Sequence, residues 1–302
     1  MSTTFGTILD DMKTSLKLAW KSMLSYFLAN LGMLIVMVIL LGIIAIPVLV
    51  VVWVALAPFT NATMSALADW AAANPLLAGG IGLLVLVPLI SLFMVVSGSI
   101  YGMSHDLVTK GETKAELAFS YLRHKFLPFI GAGAILTIIV LLPPTIAWGL
   151  TSYAMGYVIT APASYLLAAF TFVWVYFTAG LTSLVWPAVV SGKGVQDAFR
   201  ESFSLSIQYF DRVYGLLTAI VLLLAATVGP VIAVGLSFAS TLPSVALAFV
   251  PLFVAVGLYT VIMVFLWLLL FLPMVRIAWV KVYQELTGGE IATQSVVDMP
   301  IV

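Results

Sequence analysis

The side chains best suited to chemistry are few and lie close together. His105 and His124 are the two histidines, Asp106 adjoins the first, and Glu112 and Glu116 fall between them. An imidazole beside carboxylates can bind a divalent metal or move a proton near neutral pH. A helical zinc site, however, needs ligands at fixed offsets, and no HExxH-type spacing occurs. Histidines at a membrane interface more commonly hydrogen-bond headgroups or water. Ser97-Gly98-Ser99 and the other hydroxyls within apolar runs lack a neighbouring base, and no GxSxG, P-loop or dinucleotide fingerprint is present. With no cysteine in 302 residues, disulfides, thiolate metal sites and thiol nucleophiles are excluded. The expectation is a non-enzyme with no catalytic residue, no metal and no cofactor.

The second group with chemical potential is basic. Lys17, Lys21, Lys114, Arg123, Lys125, Lys193, Arg200 and Arg212 are the candidates for contacts with phospholipid headgroups, each worth about 1 kcal/mol near an anionic surface. The plain alternative for all eight is a topology signal. With 12 basic and 12 acidic side chains the net charge is zero, so no general field attracts nucleic acid.

The elements that carry these residues are set by composition. Hydrophobic residues make up 63% of the chain, charged ones 8%, and the mean hydropathy is +1.21. A water-exposed surface of this size does not tolerate that balance, so the solvent is lipid. Apolar runs long enough to cross roughly 30 Å of hydrocarbon predict spans at 24–57, 76–101, 126–150, 162–190, 213–238 and 245–275. The first is overlong, and Pro47 and Pro58 are expected to kink or end it. The run from Met23 to Ala57 also far exceeds the 7–15 residues of a signal-peptide core, which predicts a retained span.

All twelve basic residues lie before span one, between spans two and three, between four and five, or after six. The other connections carry a single charge, Asp69. The positive-inside rule then predicts a multi-pass protein of the cytoplasmic membrane with both termini in the cytoplasm. Trp53, Trp70 and Trp148 near the outer ends, and Trp20, Trp186 and Trp279 near the inner ends, fit an aromatic belt. Tyr153, Tyr157 and Tyr165 between spans three and four read the same way. Gly98 and Gly102 form a GxxxG, and Gly79, Gly80 and Gly82 cluster at the other end of that span. Such residues let helices approach closely, within the chain or between subunits.

The charged segments repeat. Ser15-Leu16-Lys17-Leu18-Ala19-Trp20, Glu116-Leu117-Ala118-Phe119-Ser120-Tyr121 and Ala198-Phe199-Arg200-Glu201-Ser202-Phe203 each end in a small residue and an aromatic. Twelve residues beyond each aromatic stands a glycine: Gly32, Gly133 and Gly215. Pro47 and Pro230 both follow 15 residues later, whereas Pro143 and Pro144 come sooner. Each segment is helix-periodic. Phe5, Ile8, Met12, Leu16, Trp20, Met23 and Phe27 form one apolar stripe, with Asp10, Asp11, Lys13, Lys17 and Lys21 largely opposite. Val195, Phe199, Phe203, Ile207, Phe210 and Tyr214 form another. Such helices lie in the headgroup layer, or dock on the bundle.

The expected fold is therefore an all-α integral membrane protein of six transmembrane helices. They form three parallel-repeat hairpins, each preceded by a cytoplasmic amphipathic interfacial helix, around a pseudo-three-fold axis. The chain reads as one polytopic domain, 1–302, with repeats 1–104, 105–190 and 191–285 and a tail, 286–302. Ala19 with Trp20, Ser120 with Tyr121 and Ser202 with Phe203 are expected to set the elbows between interfacial helices and spans.

Gly194, Val195, Ala198, Arg200, Ser202 and Leu205 before an apolar hairpin resemble the membrane domain attached to some bacterial glycerophosphodiester phosphodiesterases, and related six-span membrane proteins of bacteria and archaea. The resemblance implies a membrane module working near phospholipid headgroups, or beside a partner that does the chemistry; the phosphodiesterase's metal-binding acids have no counterpart here. Three functions stay open: a lipid-interacting scaffold, an accessory subunit with a membrane-protein partner or in a homo-oligomer, and a transporter or flippase of a neutral or lipid-like substrate. Ion-coupled transport is weakened because no ionisable residue falls inside a predicted span.

Overall fold

The computed structural model describes residues 5–56, 69–70, 73–156, 158–238 and 249–292. The described chain is helical almost throughout. Its elements are α1 (Phe5–Lys21), α2 (Met23–Leu56), α3 (Pro75–Lys110), α4 (Ala115–Ala154), α5 (Ala161–Thr182), α6 (Val185–Val190), α7 (Val195–Gln208), α8 (Phe210–Phe238), α9 (Val250–Leu266), a π-helical segment (Trp267–Phe271) and α10 (Leu272–Thr287). Among the described residues six helical stretches are long and apolar enough to cross a membrane: Met23–Ile43, Leu86–Lys110, Ala115–Ala154, Ala161–Val190, Phe210–Gly235 and Pro251–Thr287. The predicted number of spans stands.

The largest extensions fall between spans two and three and after span six. Span two continues to Lys110 and span three begins at Ala115, because the charged segments flanking the apolar runs stay helical. The α2 backbone passes position 47 and remains helical to Leu56. Pro58, Tyr157 and the tail from 293 onward lie outside the described residues. Helix ends follow local chemistry. Pro162 and Pro251 sit in the first turns of α5 and α9, where the missing N–H costs no helical bond. Gly111 (φ 78°) and Gly288 (φ 69°) stop α3 and α10 in the left-handed conformation that a side chain disfavours.

The chain forms two compact units. The first comprises residues 1–30, 101–117 and 204–302. Within it α1 lies along α10, the π segment and the start of α8. Its buried residues are Ile8, Asp11, Ser15, Leu18 and Ala19. Of the predicted apolar stripe Ile8 is buried, whereas Phe5 is 73% exposed and Trp20 66%. The helix packs through Asp11, Ser15 and Ala19 beside Ile8 and Leu18, small and polar side chains that permit close approach, and turns its aromatics outward. Ile8 fits against Gly215 of α8, where any Cβ would collide with it.

The second unit comprises residues 31–100 and 118–203. Gly98 of α3 lets Phe129 and Trp186 close in; a Cβ there would meet Phe129 Cδ1 at 2.7 Å and Trp186 Cζ3 at 2.9 Å. Phe129 and Trp186 pack edge to face at 5.8 Å. Gly133 of α4 similarly admits Met94, whose Cβ would be 2.7 Å away. Gly98 thus serves packing within the chain. Gly79, Gly80 and Gly82 have open space around them instead.

Candidate functional site

Many hydroxyls of the apolar helices donate back to the carbonyl one turn earlier, but Asn30 and Trp174 reach carbonyls that a proline leaves bare. In the first unit the Leu272 N–H bonds to Trp267 O, one residue further back than in an α-helix. Pro273 has no N–H to offer Leu268, so that carbonyl loses both helical donors. Asn30 Nδ2 donates to Leu268 O at 3.3 Å, and Asn30 Oδ1 accepts from Arg276 at 3.4 Å. The Tyr26 hydroxyl shares a 2.8 Å hydrogen bond with Ser104. Tyr26 and Tyr101 both lie within electrostatic range of Arg276. Counted from Val250 at the helical rise, Arg276 is about 39 Å along the axis, further than the hydrocarbon thickness, so a span beginning there delivers it to the interface. Thr227 ties α8 to the same stretch: its hydroxyl accepts from Trp267 Nε1 at 3.0 Å and its carbonyl from Tyr259 at 2.9 Å.

Also in the first unit, four charges from three helices form one cluster. Asp11 of α1 takes Arg212 of α8 at 2.8 Å on Oδ2 and Lys281 of α10 at 3.1 Å on Oδ1. Glu285, one turn beyond Lys281, pairs with Arg212 and stands 3.7 Å from Lys281. Two acids balance two bases, and the Asp11 carboxylate is almost wholly buried. Asp11 belonged by periodicity to the solvated face, so this cluster was missed. Its sequence signal is Asp11, Ser15 and Ala19 at four-residue steps, a run of small and polar residues that marks a packing face as readily as a wet one.

The eight basic candidates separate accordingly. Arg212 is held in that cluster. Lys125 donates to Val189 O at 2.6 Å and Val190 O at 2.8 Å, closing the carbonyl end of α6. Lys193 pairs with Glu201 at 3.2 Å. Lys17, Arg123 and Arg200 are exposed on their helices. Lys21 and Lys114 come together: with Leu18, Ser22, Ser25, Leu107, Gly111, Glu112 and Thr113 they line a pocket of about 260 Å³ in the first unit. Both lysines are exposed at its rim, and Thr113 Oγ1 donates to Met103 O, leaving its lone pair as an acceptor. The pocket sits where α1 gives way to α2 and α3 gives way to α4.

The elbow residues lie upstream of the breaks they were expected to make. The helical path turns at Ser22, at Lys125 (φ −122°, ψ 22°) and at Tyr209. Ala19 and Ser202 are fully buried, and Ser202 Oγ donates to Leu181 O at 2.6 Å. Trp20 is exposed and Phe203 half-buried against Phe199. In the middle segment Ser120 is exposed, Tyr121 half-buried and Ala118 buried. His124 donates from Nδ1 to Ser120 O at 2.7 Å, while His105 stands 3.6 Å from Asp106, which Lys110 pairs at 3.1 Å. Among the described residues no group of three or more His, Cys, Asp or Glu side chains could hold a metal ion. Compared with known proteins, the chain matches no protein family, no curated protein and no solved structure.

Proposed function

We propose that this chain is a non-catalytic protein of the cytoplasmic membrane that binds phospholipid headgroups on its basic, cytoplasmic face and acts as a lipid-interacting scaffold or as an accessory subunit. In this reading the six spans form three hairpins in parallel repeat. Helices α1 and α7 and the start of α4 are the interfacial segments, and both termini face the cytoplasm. The observation that carries it is the pocket between Lys21 and Lys114, in which two cations from separate segments join three hydroxyls, those of Ser22, Ser25 and Thr113, at the end of two spans. A phosphodiester needs cations for its charge and donors for its oxygens, and Lys21 and Lys114 with the Ser22 and Ser25 hydroxyls bring both kinds of group to this pocket. The outward aromatic face of α1, with Phe5 and Trp20, suits insertion between acyl chains beside that pocket. The family resemblance of the sequence, a module working near headgroups, points the same way.

The test is native mass spectrometry of the full-length protein released from lipid nanodiscs. Wild type is expected to retain stoichiometric phospholipid, and Lys21→Ala with Lys114→Ala to lose most of it. Retention unchanged in the double variant would refute the reading, whereas a defined protein partner in the same spectrum would favour the accessory-subunit form.

A transporter or flippase of a neutral or lipid-like substrate is the second reading. Asn30 and Thr227, whose polar side chains meet the π segment at Leu268 O and Trp267 Nε1, favour it, since irregular helices can line a path for polar substrate groups.

A further inference from the structure

The pocket between Lys21 and Lys114 does not stand alone. It shares Glu112, Thr113 and Lys114 with a second pocket of about 300 Å³, also lined by Asp106, Lys110, Glu116 and Leu117. Lys110 and Asp106 neutralise each other at 3.1 Å. What remains is unequal on the two sides. The first pocket holds Lys21 and Lys114 against Glu112, an excess of one positive charge; the second holds Glu112 and Glu116 against Lys114, an excess of one negative charge. The wall between them is the short turn that Gly111 starts with its left-handed backbone, leading directly into α4. A positive and a negative cup therefore adjoin across three residues.

A headgroup that satisfies both cups carries a phosphodiester and an ammonium joined by a short link. A glycerol or second phosphate would leave Glu112 and Glu116 facing neutral or like charge. The cation is also specified. A primary ammonium brings three N–H donors to two carboxylates, whereas a quaternary one has none and is held best by aromatic faces. No aromatic residue lines either pocket. We propose that the adjoining pockets form one dipolar site for an ethanolamine phosphodiester, with the phosphate between Lys21 and Lys114 and the ammonium at Glu112 and Glu116. This assignment rests on the lipid-binding reading and narrows its ligand to phosphatidylethanolamine.

The experiment uses full-length protein equilibrated with an equal mixture of phosphatidylethanolamine, phosphatidylcholine and phosphatidylglycerol of identical acyl chains, with bound lipid read by native mass spectrometry. Wild type should select phosphatidylethanolamine. Glu112→Gln and Glu116→Gln should each cut that selectivity by roughly two- to fivefold, and the two together should abolish it, without lowering total lipid, since each removes one exposed ionic contact. Lys21→Ala with Lys114→Ala should lower all three lipids. Wild-type retention without selectivity, or selectivity that survives in the double glutamine variant, overturns the dipolar site while leaving the headgroup reading intact. Lipid retention that ignores the lysine substitutions overturns the headgroup reading itself. Excess glycerophosphoethanolamine should fail to displace the lipid, because it lacks acyl chains; displacement by it would overturn the lipid as occupant and assign the ethanolamine phosphodiester chemistry to a water-soluble compound. Melting temperatures of the glutamine variants should match wild type, since both side chains are exposed.

Discussion

Proline at residue scale explains why particular polar side chains stand in apolar helices. Pro143 cannot donate to Ile139 O, and the Trp174 indole of α5 donates to that carbonyl at 3.0 Å. Pro273 leaves Leu268 O in the same position, and Asn30 supplies the donor. In lipid no water can substitute, so each bare carbonyl needs a protein partner. Trp174→Phe should therefore lower stability by about 0.6–2 kcal/mol, the range for interhelical hydrogen bonds in membranes. In that background Pro143→Ala should recover part of the loss, because position 143 regains an N–H for Ile139. Denaturant unfolding of the purified protein in detergent reads both, and a Pro143→Ala change equally stabilising with Trp174 present would refute the coupling. The prolines were legible in the sequence, but their partners were not: nothing local links Pro143 to Trp174, since the helix crossing that joins them is a tertiary fact. Trp148 teaches the same point, since it reads as a belt residue yet donates to Thr171 Oγ1 at 2.9 Å.

Helix α1 shows how far periodicity carries at the scale of an element. The pattern correctly gave a helix over this segment, and Phe5, Leu9 and Trp20 do face outward. What it could not give was the packing face, because a scale that rewards bulk treats Asp11, Ser15 and Ala19 as solvent-seeking. Small side chains bring backbones close, and an acid can be buried when Arg212 and Lys281 meet it. A buried ion pair adds little net stability over an apolar replacement, but removing one partner strands the others. Asp11→Ala leaves two cations sharing Glu285, and is expected to cost about 3–5 kcal/mol and to expose the α1–α10 seam. Asp10→Ala, one residue away on the exposed side, should stay within about 0.5 kcal/mol. Thermal unfolding of the two variants, with protease sensitivity of α1 followed alongside, checks the contrast; equal effects would mean the cluster does not hold the helix. The pocket was half legible in the same sense. Lys21 and Lys114 were both recognisable as headgroup candidates, but lie too far apart in sequence for any pattern to predict that they share a wall, whereas Arg212 and Lys125 carried the same signal and are spent on the protein's own groups.

For the whole molecule, composition and charge distribution were the strong signals, because a lipid solvent acts on every residue of a span at once while packing acts on a few. Six spans followed from hydropathy, yet the two compact units draw helices from across the sequence and cut across the repeat boundaries, since contacts depend on which spans meet rather than on their order. The proposed orientation rests on parity and charge. In the six-span reading an even number of crossings returns the chain to its starting side, which predicts that Lys17, Lys114 and Arg200, each separated by two candidate spans, share one side and that Asp69, one candidate span from Lys17, lies on the other. The positive-inside rule predicts that the basic side is cytoplasmic. Because the chain has no cysteine, a single introduced thiol reports its own location. Lys17→Cys, Lys114→Cys and Arg200→Cys are exposed positions and should react with a membrane-impermeant maleimide only after permeabilisation, while Asp69→Cys should react in intact cells. Reversed labelling would turn the protein over and put the Lys21–Lys114 pocket on the outer leaflet; mixed labelling among the three basic positions would mean that one of the six helical stretches does not cross, and that the hairpin arrangement itself is wrong.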